Sequence, residues 1–292
     1  MVKVIDINGL TKKYAKTTAL DNLTLSVNEG QIIGYLGPNG AGKTTTIKLL
    51  LGLIRPTSGQ ATIVGLDVQK DKVEVHKHLA FVPSEPAYWP NLTGREMLYM
   101  LSKLHGNYSK DYQAKLIRLF DFDPDKKIRE YSRGNRQKIS LIAAFSTKAK
   151  LLIMDEPSTG LDPLMEQVFR QLLIEARDNG QTIFLSSHLL EEVESVCDQI
   201  AILKAGKLVE SGPLSEFKHL AATSIEASFT SKVPSVDHLH GVTKVQVKGH
   251  TLTCQITGPV DEILKVLLEY SPTQLYCRPA SLEDLFLSVY GS

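Results

Sequence analysis

The stretch "GPNGAGKT", residues 37–44, constrains this chain more than any other. It fits G-x-x-x-x-G-K-[ST], with Gly37, Gly42, Lys43 and Thr44 in the fixed places. Glycines let successive backbone N–H groups turn inward on phosphate oxygens. A helix that follows such a turn adds its positive N-terminal end. Lys43 is placed to reach terminal phosphates, and the Thr44 hydroxyl suits a magnesium ion. The required context is present: "GQIIGYLG" reads as a short buried strand before the turn, and "KTTTIKLLLGLI" as a helix after it, ended by "RPTSG".

Two further apolar runs complete the chemistry. "KLLIMDEP" reads as a strand of a parallel sheet covered on both faces, with Asp155 and Glu156 at its carboxyl end. Asp155 suits the magnesium shell and Glu156 a general base for water. "QTIFLSSH" is another buried strand and ends on His188. Open α/β sheets deliver ligands at the carboxyl ends of their strands, so His188 is expected at the same edge, sensing phosphate.

Around these runs, strands and helices alternate, which implies a mainly parallel α/β sheet. "KVIDINGL" and "LDNLTLSV" read as strands joined by the polar "TKKYAKTT", and "QATIVGLDV" as one more strand. Residues 88–145 are helical in pattern: "GREMLYMLSKLHG", "KDYQAKLIRLF" and "QKISLIAAFSTKA". "DPLMEQVFRQLLIEARDNG" is a helix that Asp162 caps, Pro163 opens and Asn179-Gly180 ends. "LLEEVESVC" reads as a helix and "QIAILKAG" as a strand. The texture changes near residue 220. "TSIEASFT", "TKVQVKGH" and "TLTCQIT" read as strands, "VDEILKVLLEY" and "SLEDLFLSVY" as helices, so residues 1–220 and 221–292 are expected to be a large domain and a small α+β appendage.

"YSRGNRQK", residues 131–138, is a second anion-binding stretch. Ser132 offers a hydroxyl and Gly134 an open N–H at a helix start. Bulk charge does not explain it: Lys+Arg number 33 and Asp+Glu 32, which argues against general attraction to nucleic acid or anionic lipid. No apolar run approaches the roughly 18 residues of a membrane span. "MVKVIDINGL" lacks a signal-peptide core, so the expected compartment is the cytoplasm. Cys197, Cys254 and Cys277 form no CxxC pair and are expected to be reduced thiols.

With these motifs in this order, residues 2–215 resemble the ATP-binding subunits of ABC transporters. The resemblance implies a P-loop ABC ATPase fold with N-terminal antiparallel strands, a helical subdomain at 88–145, and ATP with Mg²⁺ as ligands. It implies ATP binding by Gly37, Pro38, Asn39, Gly40, Ala41, Gly42, Lys43, Thr44 and Thr45, with Tyr14 stacked on adenine. Thr44 and Asp155 would hold the metal, and Glu156, His188 and Lys43 would carry catalysis. "STGLDP", with Asp162, corresponds to the D-loop, and Ser132, Arg133, Gly134 and Asn135 to the signature loop. Two such subunits pack head to tail, each signature loop facing the ATP of the other, which gives two anion-binding loops in one chain a common purpose.

The chain departs from the family pattern in two places. The common signature LSGGQ has become Tyr-Ser-Arg-Gly-Asn, with Arg133 for glycine and Asn135 for glutamine. In "FVPSEP", Ser84 and then Glu85 stand where the family's Q-loop glutamine is expected, and both are candidates for that role. The resemblance further implies that "AYWPNLTGREML", with Tyr88 and Trp89, docks a membrane subunit. "RPASLEDLFLSVY" resembles the ending of exporter subunits paired with ABC-2 permeases, including drug- and antimicrobial-peptide-resistance systems. The expected partners are integral membrane permease subunits and a second ATPase subunit, as a homodimer on the cytoplasmic face of the membrane, with no nucleic acid. A soluble ABC ATPase acting on DNA or ribosomes is the alternative. It would call for a coiled-coil insertion, absent from residues 44–154, or for a second cassette. A P-loop kinase would need neither "YSRGNRQK" nor "STGLDP".

Overall fold

The computed structural model describes residues 2–220 and 223–278. The chain divides into two compact units, Met1–Gly212 and Pro213–Ser292.

In the first unit, β1 (Lys3–Tyr14) and β2 (Thr17–Asn28) form a long antiparallel hairpin. The stretch "TKKYAKTT", expected to be a connection, is mostly strand, and only Ala15 and Lys16 turn. Lys12 and Lys13 pair with Leu20 and Thr18, while Leu10 and Leu20 fill the core. A sheet with one solvated face accepts polar residues without ending, which is why polarity misplaced the turn. β3 (Ile32–Leu36) is buried throughout and runs into the cradle, which opens onto α1 (Lys43–Leu50).

"RPTSG" does not end α1. Gly52, at φ 64°, closes it: Leu53 N–H donates to Lys48 C=O at 2.9 Å and Gly52 N–H to Leu49 C=O at 3.0 Å, a Schellman motif. "QATIVGLDV" is a hairpin rather than one strand. β4 (Ser58–Ile63) and β5 (Leu66–Asp67) meet at Val64-Gly65, both with positive φ, as a type I′ turn requires. α2 (Lys72–His78) and β6 (Leu79–Val82), which the sequence pattern did not reveal, follow. Then come α3 (Gly94–His105), α4 (Lys110–Leu119), α5 (Arg133–Phe145), β7 (Leu151–Asp155), α6 (Pro163–Asp178), β8 (Thr182–Ser187), α7 (Leu190–Val196), β9 (Gln199–Lys204) and β10 (Lys207–Pro213).

These strands make two sheets. One is antiparallel, in the order β2-β1-β4-β5. The other runs β10-β9-β3-β8-β7-β6, and its pairs from β9 to β6 are parallel. A single apolar cluster joins them, with Ile5, Leu23 and Ile63 from the first sheet and Tyr35, Ile153 and Phe184 from the second. Because β3, β6, β7 and β8 run the same way, the segments leaving their carboxyl ends meet at one edge.

The second unit holds α8 (Leu214–Leu220), β11 (Thr223–Ser228), β12 (Val242–Lys248), β13 (Thr251–Ile256), α9 (Asp261–Glu269) and β14 (Gln274–Arg278). Its antiparallel sheet has the order β12-β13-β11-β14. Ile225, Leu252 and Ile256 of that sheet pack with Ile263 and Leu267 of α9. The expected "SLEDLFLSVY" helix lies outside the described residues. Cys197 and Cys254 are buried, Cys277 is exposed, and all three are free.

Candidate active site

The cradle is built by exclusion. A Cβ on Gly37 would meet the Cβ of Ala41 and the carbonyl of Leu203, each at 2.8 Å. Gly42 has φ 113°, and a Cβ there would lie 2.6 Å from the Ala19 carbonyl in β2. Pro38, Asn39 and Gly40 form an exposed lip, Ala41 is buried, and Thr45 is half-buried. Helices α3, α4, α5 and α6 carry side-chain caps from Thr93, Ser109, Ser132 and Asp162. α1 has no side-chain cap and no acidic residue in its first turn. Its leading N–H groups and dipole are therefore left to an anion.

Lys43 is 5% exposed, a buried cation held by the loop itself. Its Nζ donates to the Gly37 carbonyl at 2.6 Å and stands 3.7 Å from Oε1 of Glu156. Thr44 Oγ1 donates to Oδ2 of Asp155 at 3.1 Å, and Ser186 Oγ donates to Oδ1 at 2.6 Å. The register of β7 on β8 places Asp155 opposite Ser186. Ser186 is a site residue that the sequence reading missed. Its signal was a pair of polar residues, Ser186-Ser187, closing an otherwise apolar strand.

Glu156 leaves β7 with φ 47°, and its N–H donates to the Ser186 carbonyl at 3.0 Å. Such a backbone is costly for a side chain with a Cβ and persists only where its surroundings enforce it. Here it turns the carboxylate toward two partners: Lys43 on one oxygen, and Nδ1 of His188 at 3.3 Å on the other. Lys43, Thr44, Asp155, Glu156 and His188 thus form one connected cluster at the sheet edge.

The other expected residues lie outside that cluster. Ser132 caps α5 by accepting from Asn135 N–H at 3.2 Å. Gly134 packs against the "STGLDP" loop so closely that a Cβ would collide with the Gly160 carbonyl. Asp162 caps α6, its Oδ1 accepting from Met165 N–H at 3.0 Å. Tyr14 is 45% exposed at the end of β1, with Lys12 Nζ 4.9 Å from its ring centroid.

The chain as a whole is similar to a known set of proteins. The family described as ABC transporter matches residues 20–159. The bacitracin transport ATP-binding protein of Bacillus licheniformis is 38% identical over 75% of this chain and 72% of its own length. The chain belongs to the ABC transporter ATP-binding subunits. A Nod factor export ATP-binding protein of Burkholderia orbicola is 32% identical over 99% of this chain and 98% of its own. A solved ATP-binding subunit of an ABC transporter is 29% identical, with TM-score 0.69, over 74% of this chain and 92% of that one. A bacterial ABC transporter cassette solved as a dimer is 22% identical, with TM-score 0.65, over 72% of this chain and 98% of that one, and shares the fold. The chain is an ATP hydrolase of the ABC type.

In this ABC subunit the donor set suits magnesium. Thr44 and Asp155 offer a hydroxyl and a carboxylate to each other, hard oxygens of the kind that cation takes. The Q-loop candidates sit apart. Among the described residues no hydrogen bond or ion pair joins Ser84 or Glu85 to Thr44, Asp155 or Glu156, and Glu85 instead pairs with Arg133 at 3.4 Å. Tyr88 is not an exposed anchor. Its hydroxyl bonds Ser140 of α5 at 2.6 Å, and burial pushes its pKa up to about 12. Trp89, its neighbour, is 60% exposed. Between Tyr88 and α3 lies an apolar cavity of about 440 Å³, lined in part by Leu53, Phe81, Tyr88, Leu104 and Ala143. Among the described residues no helix is long and apolar enough to cross a membrane.

Proposed function

We propose that this chain is the motor of an exporter, working as a head-to-tail homodimer under ABC-2 permease subunits at the cytoplasmic face of the membrane. The observation that carries the reading is Glu156, poised between Lys43 and His188 beside the Asp155–Thr44 pair. In this reading residues 37–45 bind the phosphates and Tyr14 stacks on adenine. The hairpin of Tyr14 adjoins the cradle, since the Ala19 carbonyl lies against Gly42. Thr44 and Asp155 hold Mg²⁺, which when bound neutralises phosphate charge. Lys43 trades its Gly37 carbonyl for a phosphate oxygen. Glu156 takes a proton from the attacking water, and His188 orients that carboxylate and senses the terminal phosphate. Asp162 fixes the loop between the subunits, and Ser132, Arg133, Gly134 and Asn135 receive the other subunit's ATP at the start of α5.

Transport rather than work on DNA or ribosomes is supported by the names of the relatives, a bacitracin transporter and a Nod factor exporter. The 440 Å³ cavity lined by Tyr88 and Leu104 suits a loop of the permease. Residues 1–220 would be the ATPase domain and 221–292 an accessory one. The test is purification of the tagged chain from detergent-solubilised membranes of its host. An integral membrane protein of ABC-2 type should come with it, and Leu104→Asp, at an exposed rim position, should lose that protein while keeping ATP binding. Recovery of ribosomes or DNA alone would favour the soluble alternative.

A further inference from the structure

The segment after β6 lies along α5 and is tied to it at two points. Gln137 Nε2 donates to the Pro83 carbonyl at 3.2 Å, and the Tyr88 hydroxyl bonds Ser140. Between these ties, Glu85 presents its carboxylate to the guanidinium of Arg133 at the helix start. The surroundings favour an anion there. A cavity of about 500 Å³ is lined by Arg129, Arg133 and Arg136, with Glu85 as its carboxylate. The stem of Arg133 also lies over Gly160, with Cγ and Cδ 3.7 Å from where a Cβ would stand, and the Gly160 carbonyl covers Gly134. Two acceptors of the chain's own, the Glu85 carboxylate and the Gly160 carbonyl, therefore sit on the two signature residues that offer positive charge and open backbone.

We infer that Glu85 is an internal stand-in for phosphate: it holds Arg133 in the separated subunit, and the terminal phosphate of the second subunit's ATP displaces it when the dimer closes. The inference rests on the head-to-tail reading above. Its physics is an exchange of partners. The pair is open to water, with side-chain exposures of 51% for Arg133 and 80% for Glu85, so it is weak enough to be given up. A triphosphate carries more charge than a carboxylate and accepts a guanidinium bidentately, so it wins the exchange once delivered. Glu85 then sets how much ATP closure requires, and it does so from outside the catalytic cluster.

The test uses the full chain carrying Glu156→Gln, so that hydrolysis does not empty the site. Dimer is measured by light scattering against ATP concentration. Adding Glu85→Gln should lower the ATP midpoint about two- to fivefold, the effect of releasing one exposed ion pair at each of two sites. In an Arg133→Ala background the same change should move nothing. A midpoint that stays put or rises with Glu85→Gln overturns the inference, as does a shift that survives without Arg133. Glu85 is mostly exposed, so glutamine leaves the fold intact. A Glu156→Gln chain that remains monomeric at saturating ATP overturns the dimer reading, and this inference with it. Dimerisation with an unmoved midpoint overturns this inference alone.

Discussion

Oε2 of Glu156 stands 3.3 Å from Nδ1 of His188. The contact joins two strand ends, since Glu156 follows β7 and His188 follows β8, and the left-handed backbone at Glu156 makes it. A base held by a cationic Lys43 on one side and an imidazole on the other is oriented before water arrives. Glu156→Gln keeps the shape and removes the proton acceptor. We expect turnover to fall by about 10²–10⁴ with ATP affinity retained, measured by phosphate release and by nucleotide titration. Near-normal turnover in the purified variant would reject Glu156 as base.

Lys43 and Ser132 test whether sites are shared. Each of Lys43→Ala and Ser132→Arg alone spoils both sites of a homodimer. Mixed subunits regenerate one site with both halves intact, so the mixture should exceed the sum of the separate activities. Activity that is merely additive at every mixing ratio would mean that each chain carries a complete site.

Gly134 and Gly160 form a backbone contact with no room for a methyl group. Gly134→Ala must push the "STGLDP" loop away from α5, at a cost of about 1–3 kcal/mol, the usual range for overpacking. Urea unfolding should show that loss, and turnover should fall with it because the loop also carries Asp162. Unchanged stability would show that the contact relaxes freely.

Glu192 supplies a prediction in pH. It is 3% exposed on α7, with Oε2 bonded to nothing among the described residues. Burial raises its carboxyl above the ordinary 4.5, helped by Glu166 and opposed by Ser187, Ser158 and Arg170. Below pH 4.5 both folded and unfolded chains keep the proton, and the group costs nothing. As pH rises toward the folded value, only the unfolded chain ionises, so stability drains away. Glu192→Gln has no proton to lose. Its melting temperature should match that of the parent at acid pH and move ahead of it as pH rises. A difference that stays flat with pH would mean that Glu192 ionises normally in the fold.

What the sequence by itself determined is the part of the site made by neighbours in the chain. A glycine turn between a buried strand and a helix needs only local backbone sterics, so the cradle, Lys43 and Thr44 were legible, as were Asp162 and Pro163 at the start of α6. The parallel strands β3, β7, β8 and β9 were legible as apolar runs, though β6 was not, and Asp155 and His188 at the ends of β7 and β8 marked the working edge. The tertiary structure alone decided which distant residues meet. Asp155 takes Ser186 because β7 lies in one register against β8, and a shift of one residue would turn the serine away. Glu156 reaches His188 through a backbone twist that composition does not announce. Glu85 turns to Arg133, and Gly134 lies under Gly160, because the start of helix α5 packs against the segments that follow β6 and β7. Turns and caps depend on a few consecutive residues, whereas register and packing depend on burying the whole core at once, and no short window of sequence contains that.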